Sequence, residues 1–248
     1  MCFHNSLTAT VAEMEKRFEA TLTSENMNFE PIFHGSGFDY PLWPVITAQA
    51  SGQIQLFRWG LMPRWAKSLE EAQTLRSGTL NAKIETLFEK PSFRYALQQS
   101  QRCLVPSTGF FEWHTVGKKK YPYFIRLRHH SLFAMAGLYE IWQNPQNPSD
   151  TWHTFSIITT EANPLMARIH NIKQRMPVIL WPGMESLWLL PDLDEDSFRK
   201  IAEPFEEHLM EAYTVGRLVG EHKGSSNVAE VLLPKIYPEL AQKQLNLW

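Results

Sequence analysis

Apolar positions along the chain change their period, and the changes divide it into short elements. Over residues 8–20, Val11, Met14 and Phe18 recur at helical spacing behind Thr8, which predicts an early short helix with Thr8 as its N-cap. Residues 29–65 turn aromatic and proline-rich, and the runs 45–47 and 54–59 read as strands. One or two helical turns follow at 93–99. Segments 102–106, 122–127, 132–138 and 154–160 are rich in Phe, Tyr, Ile and Val and separated by Gly, Lys, Asn and Pro turns, so they read as successive strands. Asn163 before Pro164 opens a short helix over 163–169. Two further helices are predicted over 185–190 and 196–205, the second with Phe198, Ile201, Ala202 and Phe205 on one face. The polar stretch 143–150 is a hairpin tip, no repeat or low-complexity linker is visible, and parallel βαβ units are not apparent. The expected architecture is α+β: a single domain over residues 1–248, with an irregular antiparallel β-barrel-like core and peripheral short helices. The stretch after Leu180 carries no readable motif and is expected to complete the core.

Composition narrows the class. At 248 residues, 44% hydrophobic and 20% charged, the chain is neither disordered, collagen-like nor a coiled coil. Its 24 Lys+Arg against 26 Asp+Glu leave a net charge of −2, so any nucleic-acid contact has to be a local basic patch. Cys2 and Cys103 cannot build a disulfide framework or a zinc ribbon. No basic segment precedes an apolar run at the N-terminus, and no stretch has the length to span a bilayer. These features point to a cytoplasmic protein, with no membrane partner, no metal and no cofactor expected.

Candidate chemistry begins at Cys2. Removal of the initiator methionine leaves a chain whose first residue carries an α-amine and a thiol on one carbon framework. Such a 1,2-aminothiol serves as an N-terminal nucleophile. It also condenses with an aldehyde to an imine, which the thiol closes to a thiazolidine. With the amine near pKa ~8 and the thiol near ~8.5, a fraction of each is reactive at neutrality. The bland alternative, a frayed end without a role, is the commoner case for a terminal residue. Glu112 lies between bulky aromatics in Thr108-Gly109-Phe110-Phe111-Glu112-Trp113, at the end of a strand, where desolvation would raise its pKa for proton shuttling. Taken alone, such a residue is more often a surface Glu on an alternating strand. Asn81, Lys83 and Glu85 cluster within residues 81–86, and the alternative there is a solvated turn. His170 titrates where proton transfer at neutral pH needs it, although a lone His is more often structural. Arg58, Trp59, Arg64 and Trp65 interleave aromatics with arginines, as a surface that stacks bases and meets phosphates would, yet a Trp-rich strand is usually core.

The combination is more specific than its parts. Met1-Cys2, Trp59-Gly60-Leu61-x-Pro63-x-Trp65, Asn81-Ala82-Lys83-x-Glu85-Thr86, residues 102–106 leading into Gly109-Phe110-Phe111-Glu112-Trp113, Ala136-Gly137-Leu138, Thr159-Thr160-x-Ala162-Asn163 and His170 ahead of Arg175-Met176-Pro177 occur in that order. Together they resemble the SOS response-associated peptidase (SRAP) family, whose members act as abasic-site processing proteins. The resemblance runs from Cys2 to about Leu180 and weakly to Asn227. It implies a barrel-like α+β domain with a positively charged groove for single-stranded DNA. It also implies that Cys2 captures the ring-opened aldehyde of an abasic site as a thiazolidine crosslink. On the same ground Asn81 positions the N-terminal residue and the sugar, Glu112 moves protons, and His170 protonates the opening sugar oxygen. Arg58, Trp59, Pro63, Arg64, Trp65, Lys83, Arg175 and Met176 are the implied DNA-binding residues, and Lys67 and Arg76 could join their basic face. The family is also linked to self-processing, but only Met1 precedes Cys2 here, so no propeptide is expected. Three departures stand out. Cys2-Phe3-His4 replaces the usual Cys-Gly-Arg and loses an arginine that would meet a phosphate. Lys83 stands where Arg is usual, keeping the charge without the bidentate fork. Asn171 to Gln174 stretch the usual His-x-Arg-Met-Pro, and a local bulge is expected to absorb them.

The leading expectation is a single-turnover enzyme that crosslinks to abasic sites in single-stranded DNA and works as a monomer, at the nucleoid when engaged. The alternative is an N-terminal-nucleophile cysteine peptidase using the same Cys2, which would need an oxyanion site and would turn over. A third reading, a non-covalent DNA-binding module, predicts salt-sensitive binding that survives Cys2→Ala.

Overall fold

The computed structural model describes residues 2–23, 29–220 and 226–240; Met1 and residues 241–248 of the unassigned C-terminal tail lie outside them. In chain order the elements are β1 (His4–Leu7), α1 (Val11–Phe18), β2 (Thr21–Leu22), β3 (Ile32–Ser36), β4 (Leu42–Thr47), β5 (Gln53–Trp59), α2 (Leu69–Leu75), β6 (Asn81–Lys83), α3 (Pro91–Gln98) and β7 (Arg102–Ser107). They continue with β8 (Gly109–Val116), β9 (Lys119–Leu127), β10 (Phe133–Gln143), β11 (Thr151–Glu161), α4 (Pro164–Ile169), β12 (Arg175–Pro177), β13 (Ile179–Leu180), α5 (Pro182–Trp188), α6 (Glu195–Ile201) and β14 (Met210–Thr214).

The larger sheet follows the path β12-β11-β10-β7-β4-β5-β2, and a pairing of β11 with β5 closes β11, β10, β7, β4 and β5 into a ring. This is the expected barrel-like core. Its closing contact is parallel, with Thr154 opposite Arg58 and Phe155 opposite Trp59, and β6 also runs parallel to β11. Parallel pairing was not apparent from the sequence because the partners lie far apart along the chain. Closure leaves the ring no free edge. The polar tip at 143–150 joins β10 to β11, where Gln143 pairs with Thr151. Inside, buried indoles find carbonyl partners: Trp43 Nε1 donates to Pro106 O at 2.9 Å and Trp59 Nε1 to Leu80 O at 2.8 Å.

The second sheet has the order β14-β9-β8-β1-β3. Side chains alternate across it. Phe110 and Ile125 join the main core, whereas Phe111 and Phe124 face a smaller cluster completed by Val215, Val219 and Val231. Gly109 opens β8 where a Cβ would come 2.2 Å from the Phe124 ring, so no other residue fits this crossing of the strands. The main cluster runs from Cys2 to Leu240 and takes in Trp188, Phe198, Phe205 and Met210 from the segment after Leu180.

Local signals explain the helices. α1 is capped by Thr10, not Thr8, through a capping box with Glu13. The Thr8 N–H is instead taken by Thr108 Oγ1 at 3.0 Å. α4 begins as expected, with Asn163 as cap and Pro164 in the first turn. The Asn163 side chain also donates to Phe205 O at 2.6 Å, which fixes the helix against the C-terminal half.

Candidate active site

Pairing between β1 and β8 builds the centre. His4 lies opposite Phe111, Asn5 opposite Phe110 and Ser6 opposite Gly109. Cys2 and Phe3 lie just ahead of β1, where Phe3 O accepts from the Gly37 N–H at 2.7 Å and the Cys2 thiol feels the Glu112 charge. Asn5 pins the strand by accepting a hydrogen bond from the Ser107 hydroxyl at 2.7 Å. Glu112 shares the face of Phe110, so its side chain turns towards the main core and is only 4% exposed. It occupies the middle of β8, not its end.

Burial sets the protonation states. It raises the Glu112 carboxyl from 4.5 to about 7. Cys2 is fully enclosed, its Sγ 3.8 Å from His4 O. Desolvation, reinforced by the Glu112 charge, pushes its thiol well above the usual range. Burial therefore disfavours the thiolate that an exposed cysteine would partly populate near neutrality. His170 Nδ1 lies 3.6 Å from Glu112 Oε1 and donates to Arg175 O at 3.0 Å. His170 is the C-cap residue of α4, where the helix dipole favours an imidazolium. Desolvation outweighs that effect and lowers its pKa to about 4. Glu112 and His170 thus meet near neutrality with the imidazole uncharged, and their approach is not an ion pair.

The residues between His170 and Arg175 form a turn, where a bulge was expected. Gln174 N–H donates to His170 O at 2.8 Å, and Gln174 adopts φ 50°. The turn returns the chain in register, with Arg175 opposite Glu161 and Met176 opposite Thr160. Arg175 is fixed internally: its guanidinium holds Glu85 at 2.5 and 2.9 Å and donates to Thr159 O at 2.7 Å. Opposite Thr159 on the parallel strand stands Lys83, exposed, and Asn81 pairs with Ile157. Asn81 is buried, and neither its Nδ2 nor its Oδ1 has a hydrogen-bond partner. An unpaired buried amide is costly to keep and available to a ligand.

The remaining implied DNA contacts divide by exposure. Arg58, Arg64, Trp65 and Lys67 are exposed, with Arg64 stacked 4.8 Å from the Tyr95 ring centre. Arg58 lies elsewhere, over Trp152 in a separate groove. Trp59, Pro63 and Met176 are enclosed by neighbouring strands, and a base cannot reach their side chains in this conformation. Arg76 is also internal: it donates to Gly60 O and Trp59 O, stacks on Tyr40, and burial lowers its pKa to about 10. Burial of this kind is invisible in a string of aromatics and arginines.

A cleft of about 780 Å³ opens over Glu112 and His170, with Phe38, Trp113, Lys120 and Lys173 among its walls. Sequence reasoning missed these last four. It also missed His34, whose Nε2 lies 2.9 Å from His4 Nδ1 and whose Nδ1 lies 2.6 Å from the Ser226 hydroxyl. Burial lowers the His34 pKa to about 4. The tripeptide Lys118-Lys119-Lys120 was a readable signal, being a charge run at a hairpin turn. Among the described residues no cluster of three or more His, Cys, Asp or Glu could hold a metal, and no helix is long and apolar enough to cross a membrane.

A sequence profile described as SOS response associated peptidase (SRAP) matches residues 1–222. YoqW of Bacillus subtilis (strain 168), named an abasic site processing protein, is 42% identical over 185 residues, 73% of this chain and 78% of that protein. YMR114C of Saccharomyces cerevisiae carries the same description and is 35% identical over 192 residues, covering 75% of this chain but 48% of that protein. A crystal structure of a protein from Bacteroides thetaiotaomicron superposes with a TM-score of 0.88 at 36% identity, over 95% of this chain and 100% of that one. The ordered motifs, the closed barrel and these likenesses agree, and the chain belongs to the SOS response-associated peptidase family.

Proposed function

We propose that this chain processes abasic sites in single-stranded DNA by covalent capture through Cys2. The observation that carries the proposal is the meeting of a buried Glu112 poised near pKa 7 with His170 at the base of one cleft, the Cys2 thiol lying buried within reach of the Glu112 charge. The descriptions of the relatives as abasic site processing proteins support the substrate. Exposed Arg64, Lys67 and Lys83, with Lys118, Lys119, Lys120 and Lys173, supply positive charge for the sugar-phosphate backbone without base discrimination.

The chemistry starts from a chain whose methionine has been removed. His170 gives a proton to the sugar ring oxygen as the hemiacetal opens, and the C1′ hydroxyl releases one to water. The phosphates of bound DNA raise the proton affinity of this otherwise neutral imidazole. The free α-amine adds to the C1′ aldehyde. Glu112, as the acid, protonates the carbinolamine hydroxyl, which leaves as water, and an iminium remains whose nitrogen keeps one amine proton. The resulting carboxylate accepts the thiol proton of Cys2 as sulfur bonds to C1′, which neutralises the nitrogen and restores the Glu112 acid. Aldehyde and aminothiol become thiazolidine and water. Asn81 offers its unpaired amide to the sugar or the N-terminal residue. Burial raises the Cys2 thiol, which favours condensation that begins at the amine over attack by the sulfur.

An abasic oligonucleotide incubated with the protein should give one stoichiometric adduct by intact mass, at the mass of thiazolidine formation with loss of water. Cys2→Ala should give none. Equal yields from the two proteins would overturn the proposal, as would repeated cleavage of a peptide pool without adduct.

A further inference from the structure

We propose that Asn171 is a positioning residue that holds His170 in place over Glu112 by docking the α4–β12 turn onto β8. This rests on the proposed role of Glu112 and His170 in capture.

The Asn171 side chain engages both backbone groups of a single residue. Its Oδ1 accepts from the Thr115 N–H at 3.0 Å, and its Nδ2 donates to Thr115 O at 2.8 Å. A carboxamide has the donor and acceptor spacing of a peptide unit, so it stands in here for a neighbouring strand. The last β1 partner on β8 is Phe111, and Asn171 takes up pairing further along the same strand. A second tether lies just ahead, where the His114 ring nitrogen donates to Arg168 O at 2.8 Å. His170 is therefore bracketed by two attachments to consecutive residues of β8, the strand that carries Glu112. Its own ring is oriented by Arg175 O. The turn that follows runs through Gln174 at positive φ, a conformation disfavoured for a residue with a side chain, so it has reason to relax once untied. The titratable and charged groups around the Glu112–His170 pair are the Cys2 thiol ahead of β1, Lys173 in the turn, the Arg175 guanidinium on β12, and, across the cleft, His4 on β1, His34 and Asp39 on and after β3, and Lys120 on β9. Replacing Asn171 by a neutral residue alters none of their charges.

The experiment is single-turnover adduct formation with an abasic oligonucleotide, comparing the wild-type chain with Asn171→Ala, Asn171→Leu and Asn171→Gln across pH. Without the amide the maximal rate should fall by about tenfold or more, as misplaced acid–base groups do. The DNA concentration giving half-maximal rate should stay within about twofold, because the outer basic residues are untouched. The limb of the pH profile belonging to Glu112 should move towards lower pH as water enters. Asn171→Gln, which keeps the carboxamide, should recover most of the rate. Asn171→Leu, similar in volume, reports on the amide should the alanine variant fail to fold. An unchanged maximal rate, a lower adduct yield at unchanged rate, or a rate loss with no movement of the pH limb overturns the proposal. A wild-type chain that forms no adduct would instead overturn the capture chemistry itself.

Discussion

A single buried carboxyl carries most of the chemical expectation. Glu112 rises from 4.5 to about 7 because the face of β8 that it occupies is closed by the core. Its folded pKa exceeds its unfolded one, so its relative contribution is most favourable below about pH 4.5 and is lost as pH rises through 7. Glu112→Gln should therefore stabilise the fold above pH 7 by about 3 kcal/mol and be neutral in acid, read as urea midpoints at several pH values. The same substitution should slow adduct formation by about a hundredfold and flatten the pH profile near neutrality. His170 has the opposite sign. Its pKa falls to about 4, so burial costs stability as pH drops from about 6.5 towards 4, and His170→Gln should remove that part of the acid sensitivity.

Two elements bring these residues together, and neither acts through its own length. β8 was not read as a strand of its own, since Glu112 was expected at a strand end, and its burial pattern depends on which face β1 and β9 leave to the core. α4 was fully readable, because Asn163 and Pro164 are strong start signals. What the signals did not reveal is that Asn163 also reaches Phe205 O. Asn163→Ala should thus cost more than an ordinary cap, about 2–3 kcal/mol, since a buried carbonyl loses its donor as well. A chemical-denaturation curve with an unchanged slope would measure this. The very short strands β2, β6, β12 and β13 escaped prediction because two or three residues carry no period.

At the level of the whole molecule, ring closure decides which charged side chains of the barrel reach the surface. The parallel seam between β5 and β11 draws Trp59 inside while leaving Arg58 outside. Two basic residues remote in sequence, Lys120 on β9 and Lys173 in a turn, line the cleft, while the neighbouring Lys119 lies 3.9 Å from Glu239. Binding of a lesion-free single strand should weaken with salt, each phosphate contact contributing about 0.7 to the logarithmic slope. Replacing Lys118, Lys119 and Lys120 by Gln should lower that slope by about 2. Fluorescence anisotropy over a salt series tests this, and an unchanged slope would remove the hairpin from the DNA path.

The sequence by itself determined the α+β class, most of the longer strands, the capped helix before His170 and the set of residues whose order marks the family. Those features depend on local periodicity, capping chemistry and motif spacing, all of which act over a few neighbours. Only the tertiary structure decided which arginines and aromatics are interior, that the Cys2 thiol is buried within reach of the Glu112 charge, and that burial raises the Glu112 pKa while lowering that of His170. These are consequences of desolvation and of pairing between distant strands, and water is excluded by the assembled barrel as a whole, never by one segment of chain.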